Sequence, residues 1–262
     1  MSLLAVETKQ RIKRVARHVG LLNFANRIEY AYGNRITPAT LDFYRAFIPP
    51  CSLCFDIGAH YGGKTRLFRQ LGAAVIAVEP LADCCATLQR KFGNDDRVIL
   101  FAGACGEVER TATLHRSSLN PQNSTLSDDF AGNLGSDVEW EDCDRIEVTT
   151  LDRLIEQHGL PAFCKIDTEG YELDVLKGLS VAIPALSFEF HANDLGRTGK
   201  CVQRLVALGY QRFNYICEPT EEFIAADWLS PAALLARLGE NDLDASGNVF
   251  ARADVNNCNQ RR

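Results

Sequence analysis

The sequence predicts an α/β protein of the Rossmann-like class: a mostly parallel, seven-stranded sheet with helices on both faces. Three observations lead there. Short apolar runs alternate with amphipathic stretches from about residue 52 onward, a glycine-rich turn joins the first run to the first helix, and the second run ends on Glu79-Pro80. Strands that alternate with helices are joined by crossovers, so they pair in parallel and are covered on both faces.

Residues 1–50 read as an amphipathic helical extension that breaks at Pro49-Pro50, and residues 51–262 as the main domain. Within it, residues 52–57, 74–78 and 97–102 are strand-like, with helices over 63–71 and 81–92. Residues 106–144 are rich in Ser, Asn, Asp and Gly and have one brief extended stretch at 111–115. That is too long for a passive connection, so it reads as a lid-like insertion, with Asn120, Asn123, Ser124 and Trp140 suited to a polar acceptor. Regular order returns with a strand at 146–149 and a helix at 151–157. Strands at 163–166 and 186–190 follow, with helices at 172–179 and 199–208. Residues 211–216 and 248–252 close the sheet around a helix at 231–238; no crossover helix joins them in the parallel manner, so an antiparallel pair is expected at one edge.

The 262 residues are 46% hydrophobic and 24% charged, which excludes a disordered chain. A formal net charge of −6 gives no footprint for nucleic acid, so none is expected as a partner. The basic cluster Lys9, Arg11, Lys13, Arg14 and Arg17 reads as the solvated face of a helix, and the N-terminal helices as a homodimer surface or a substrate lid. No apolar run is long enough to span a bilayer and no secretory signal is seen, which places the protein in the cytoplasm. The ten cysteines are scattered, several in strand-like runs (Cys54, Cys164, Cys217), and read as small buried hydrophobes; Cys51 and Cys54 form a lone CxxC without a second pair.

The turn Asp56-Ile57-Gly58-Ala59-His60-Tyr61-Gly62-Gly63-Lys64-Thr65 is the most informative segment. It fails the P-loop pattern because Ile57 stands where the first glycine belongs, and it fails the dinucleotide fingerprint because Ala59-His60 follows Gly58. An acidic residue at the strand end, Asp56, would repel a pyrophosphate but suits a nucleoside without phosphates. Glu79, 23 positions on, can accept hydrogen bonds from both ribose hydroxyls. S-adenosylmethionine fits this pattern: ribose on Glu79, sulfonium and amino-acid tail near Asp56, adenine by the turn that contains Ala104 and Cys105. Gly58, Ala59, His60, Gly62, Thr65, Pro80 and Asp167 complete the expected cofactor site.

The segments Asp56–Gly62, Val78-Glu79-Pro80, Thr150-Leu151-Asp152 and Lys165-Ile166-Asp167-Thr168-Glu169-Gly170-Tyr171-Glu172 together resemble the FkbM methyltransferase family, over about residues 52–192. The resemblance implies a class I methyltransferase fold and methyl transfer to a hydroxyl of a sugar, glycolipid or polyketide-type natural product. A protein or RNA acceptor, or a non-catalytic cofactor-binding scaffold, are the competing readings.

Four residues at later strand ends are the expected catalytic group. Asp167 and Glu169 follow the strand at 163–166, and alternation puts Glu189 and His191 on one side of the next strand, opposite Phe188 and Phe190. An alcohol is a poor nucleophile until its proton has somewhere to go, so His191 is read as the base. The same four, Asp167, Glu169, Glu189 and His191, could instead hold a divalent cation such as magnesium that lowers the pKa of the alcohol, a reading not favoured over the base. Glu172 is assigned to electrostatic support of a helix start.

Overall fold

β1 (Leu53–Ile57) lies at the centre of a seven-stranded sheet and is buried almost throughout, which is why its sequence shows no polar alternation. A computed structural model describes residues 36–117, 140–240 and 245–253. The remaining elements of the main sheet are β2 (Ala74–Glu79), β3 (Val98–Ala102), β7 (Phe163–Ile166), β8 (Ala185–His191), β9 (Tyr210–Cys217) and β10 (Ser246–Ala253). Their order is β3-β2-β1-β7-β8-β10-β9, parallel except that β10 runs antiparallel to both β8 and β9. The chain moves outward from β1 to β2 and β3, then returns to the other side of β1 as β7. Such a reversal opens a crevice at the carboxyl ends of the strands.

Each sheet face buries a different set of side chains. Phe55, Ile57, Ile166, Leu186 and Phe188 face α4 (Leu151–His158), α5 (Glu172–Lys177), α6 (Leu195–Ala207) and α7 (Pro231–Leu238). Cys54, Val75, Phe163 and Phe250 face the other way, against Leu67 and Phe68 of α2 (Gly63–Gln70). α3 (Ala82–Phe92) follows β2 and packs Leu88 beside Ala59 and Ala77. Helix starts carry local signals: Thr150 caps α4 by accepting a 3.0 Å bond from the Arg153 N–H. Thr150→Ala should cost about 1 kcal/mol, read as a lower urea midpoint with an unchanged slope.

Three expectations are corrected. Among the described residues, those just before Pro49-Pro50 pack into the main fold and do not stand apart from it. α1 (Pro38–Arg45) and the residues after it bury Tyr44, Phe47 and Ile48 in the same cluster as Phe68, Phe163 and Phe250. Tyr44 meets Phe163 edge-on at 5.9 Å between ring centres, an arrangement favoured by the ring quadrupoles. The segment 106–144 is not a loop at its ends. β5 (Arg110–Ser117) and β6 (Trp140–Thr149) pair antiparallel, and β4 (Ala104–Cys105) adds to β6, making a separate three-stranded sheet. Ala112, Leu114, Ile146 and Val148 are buried against Tyr61 and Leu81, whereas Thr111, Thr113, Arg145 and Glu147 are exposed. That alternation is a half-buried strand pattern which the polar composition masks. α6 begins four residues earlier than expected, at Leu195, where the Asp194 side chain accepts from the Arg197 N–H.

The basic cluster at residues 9–17 and the lid residues Asn120, Asn123 and Ser124 lie outside the described residues. Among the described residues no helix is long and apolar enough to cross a membrane. Cys51 sits in an exposed turn and Cys54 is buried in β1; both are free.

Candidate active site

A cavity of about 770 Å³ opens at the carboxyl ends of the parallel strands, at the reversal point. Adjacent strands bring one carboxylate each to its wall: Glu79 on β2, Asp56 on β1, Asp167 after β7 and Glu189 on β8. Strands are about 4.8 Å apart, so Glu79 and Glu189 stand at opposite ends of a row roughly 14 Å long. Residues far apart in the sequence converge because strand order, not chain order, sets this row.

The glycine turn is shaped by backbone geometry. Gly58 has φ +80°, and a Cβ there would lie 1.7 Å from the Asp167 carbonyl oxygen, so the turn after β1 and the chain leaving β7 touch backbone to backbone. His60 and Glu169, neither of them glycine, are held at φ 49° and 50° on the cavity wall. Left-handed conformations at non-glycine residues cluster at functional sites. For Glu169 the cause is Glu172: its buried carboxylate accepts from the N–H groups of Thr168 (2.9 Å) and Gly170 (3.1 Å) and from the Thr168 hydroxyl (3.1 Å). Glu172 thus fixes the turn that carries Glu169.

The N–H groups of this turn are already used. Gly58 and Ala59 both donate to the Val78 carbonyl at 3.0 Å, Gly62 donates to Ala59 at 2.8 Å, and His60 donates to Glu79 at 2.7 Å. No phosphate cradle is made by these four, in keeping with the failed fingerprints. The Gly63-Lys64-Thr65 run serves other ends. Lys64 pairs with Glu221 and lies over the Tyr44 ring at 4.8 Å, while the Thr65 hydroxyl donates to Asp56 Oδ2 at 2.6 Å. Asp56 Oδ1 is buried and has no hydrogen-bond partner.

The electrostatics follow from burial. Glu79 accepts from the N–H groups of His60 and Leu81 (2.9 Å), yet desolvation pushes its pKa up to about 7. Burial also raises Asp56, opposed by Lys165 and Thr65. Burial would raise Asp167 as well, but the Lys165 ammonium, 2.7 Å away, together with the hydrogen bond to Glu189 and the nearby His60, outweighs it and holds Asp167 below its ordinary value. Glu169 is driven well above its ordinary value by burial and by Glu189 and Asp167. Burial lowers His60 to about 4, so it is neutral at physiological pH. Burial and Asp167 raise Glu189 to about 8, and the hydrogen bond to Glu189 raises His191 to about 9.

Of the expected cofactor residues, Asp56, Gly58, Ala59, His60, Glu79, Pro80, Ala104, Cys105 and Asp167 line the cavity. Gly62 and Thr65 do not: Gly62 packs under Leu88 and Phe92, and Thr65 is buried behind Asp56. Glu169 and Glu189 also line it, whereas His191 stands behind Glu189, its Nε2 3.4 Å from Glu189 Oε2. Glu169, Glu189 and His191 form one cluster; Asp167 stands beside it, ion-paired with Lys165 and hydrogen-bonded to Glu189. Sequence reasoning missed Lys165, Glu218, Glu221, Glu222 and Asn248, all on the cavity wall. Lys165 was within reach as a lone lysine in a buried strand two residues before Asp167; the others come from the far end of the chain and carry no local signal.

The strand order 3-2-1-7-8-10-9, with the single reversed strand inserted next to the edge and a carboxylate row at the crevice, defines a class I methyltransferase fold. The model of the methyltransferase FkbM domain matches residues 56–217, and the chain belongs to that family. Comparison with curated protein sequences returned no match. Among solved structures the chain is similar to a precorrin-6y C5,15-methyltransferase from Geobacter metallireducens (9% identity, TM-score 0.45, covering 84% of this chain and 90% of that one). It is also similar to an S-adenosylmethionine-dependent O-methyltransferase from Thermotoga maritima (10% identity, TM-score 0.39, 84% and 66%). A third is a Streptococcus mutans protein described as a methyltransferase and solved with S-adenosylhomocysteine (11%, TM-score 0.40, 83% and 99%).

Proposed function

We propose that this methyltransferase uses S-adenosylmethionine to methylate a hydroxyl of a sugar, glycolipid or polyketide-type molecule. The observation that carries the reading is the nature of the cavity's polar atoms. Asp56, Glu79, Asp167, Glu169 and Glu189 present acceptors, the two lysines on the wall are already paired, and the turn's N–H groups are used internally. Such a wall suits a cationic ligand that brings hydroxyl donors and disfavours one that brings phosphates, RNA included.

S-adenosylmethionine supplies a methyl group on a positively charged sulfur. Glu79 would hold the ribose hydroxyls, and the unpartnered Asp56 Oδ1 the positive end of the amino-acid tail. Leu81, Ala104, Cys105 and Leu114 offer an apolar slot for adenine. The acceptor lies toward β8, against Glu169 and Glu189, with His191 behind. Glu189, paired with His191, takes the hydroxyl proton, and Asp167, held ionised mainly by Lys165, favours the positive charge of the donor.

The test is calorimetric titration with S-adenosylhomocysteine across pH. Ribose hydroxyls bond best to ionised Glu79, so binding should expel the proton that burial retains up to about 7. Affinity is then flat above pH 8 and falls about tenfold by pH 6, where Glu79 is mostly protonated in the free protein. Glu79→Gln should bind more weakly and lose the pH dependence. A flat profile in the unmodified protein would remove Glu79 from the ribose.

A further inference from the structure

Glu169, Glu189 and His191 come from two separate elements, and one ligand atom from each lies within 4.8 Å of the other two. Ligands bonded at about 2.1 Å to one cation are at most about 4.2 Å apart, so a small rotamer adjustment closes the set. The Glu189–His191 distance of 3.4 Å already suits two neighbouring ligands. Both atoms, Glu189 Oε2 and His191 Nε2, are buried, and their charge-paired contact is with each other.

A second observation comes from the other side of the cluster. Asn248 on β10 is directly opposite Glu189 in the antiparallel register, so their side chains share a face. It lines the cavity, is only 8% exposed, and its Oδ1 is buried without a partner. A buried amide oxygen left unpaired beside the Glu189 carboxyl costs free energy unless something positive meets it.

We propose that Glu169, Glu189 and His191, with Asn248 Oδ1 beside them, bind one divalent first-row transition cation at the acceptor end of the cavity. Two carboxylates and one imidazole favour manganese or a similar ion over magnesium, which prefers oxygen alone. The inference rests on the methyltransferase reading for its purpose. With the ion bound, it would take the acceptor oxygen in an open coordination position and lower its pKa enough for the hydroxyl proton to pass to solvent water, in place of direct transfer to Glu189.

The experiment is a manganese titration of chelator-treated protein, followed by electron paramagnetic resonance and calorimetry. One ion per chain is expected, with binding weakened at least tenfold in His191→Ala and in Glu169→Gln. S-adenosylhomocysteine affinity, measured on the same samples, shows that the variants are folded and should stay within about twofold. No manganese bound by the unmodified protein, or equal binding by both variants, overturns the proposal even if S-adenosylhomocysteine binds. Failure of S-adenosylhomocysteine to bind overturns the methyltransferase donor instead, and the manganese titration still reads the cation site by itself.

Discussion

Gly58→Ala should lower the melting temperature by about 6–12 °C, equivalent to about 3 kcal/mol in a domain of this size. Two costs combine. A φ of +80° disfavours any residue with a Cβ by about 1–2 kcal/mol, and the added atom would lie 1.7 Å from the Asp167 carbonyl oxygen. That oxygen cannot retreat freely, because the Asp167 N–H is bound to the Ile57 carbonyl at 2.9 Å, tying the two strand ends together. Relief must come from parting β1 and β7 at the crevice, a strain of about 1–3 kcal/mol. The same movement would displace His60, whose N–H orients Glu79, so S-adenosylhomocysteine affinity should drop at least tenfold with stability. Gly72→Ala is the control: φ there is +87°, but the added Cβ would meet nothing closer than 3.9 Å, so only the conformational cost remains. Equal losses in the two variants would mean that the close approach at Gly58 plays no part.

Glu189→Gln should reduce turnover by about 10²–10³ while leaving S-adenosylhomocysteine affinity within about twofold. Glutamine keeps the length and shape of the side chain, which is 14% exposed, so the fold should tolerate it. What is lost is the carboxyl group that takes the acceptor proton and pairs with His191. Glu189 is also about three strand spacings, roughly 14 Å, from the carboxylate assigned to the ribose, so donor binding should not feel the change. His191→Ala should act in the same direction. Single-turnover methyl transfer to an accepted hydroxyl compound separates chemistry from product release. Unchanged turnover in Glu189→Gln would move the acceptor site away from β8, and a parallel loss of donor affinity would place Glu189 in the donor pocket.

Much of this site could be read along the chain. The glycine turn after β1, the carboxylate closing β2, the Lys165–Glu172 motif and the alternation that pairs Glu189 with His191 are all local patterns. Spacing along one strand or one turn already defines where they stand, since the side-chain period of a strand is two and a left-handed turn needs glycine. The parallel sheet and its antiparallel edge followed from the same logic.

Tertiary structure decided the rest, because it depends on register between segments that are distant in the chain. The spacing of Lys165 and Asp167 puts both on one side of the chain, but only the pairing of β7 with β8 brings Glu189 and His191 to join Glu169 beside them. Lys64 looks like part of a phosphate loop until Glu221, 157 residues away, meets it. Asn248 reaches the acceptor end only because β10 inserts between β8 and β9 with Asn248 opposite Glu189. Tyr44, read as part of an N-terminal helical extension, belongs to the core because the rings of Phe68, Phe163 and Phe250 converge on it. Local sequence determined which chemical groups stand at each strand end; the order and register of the strands determined which of them meet.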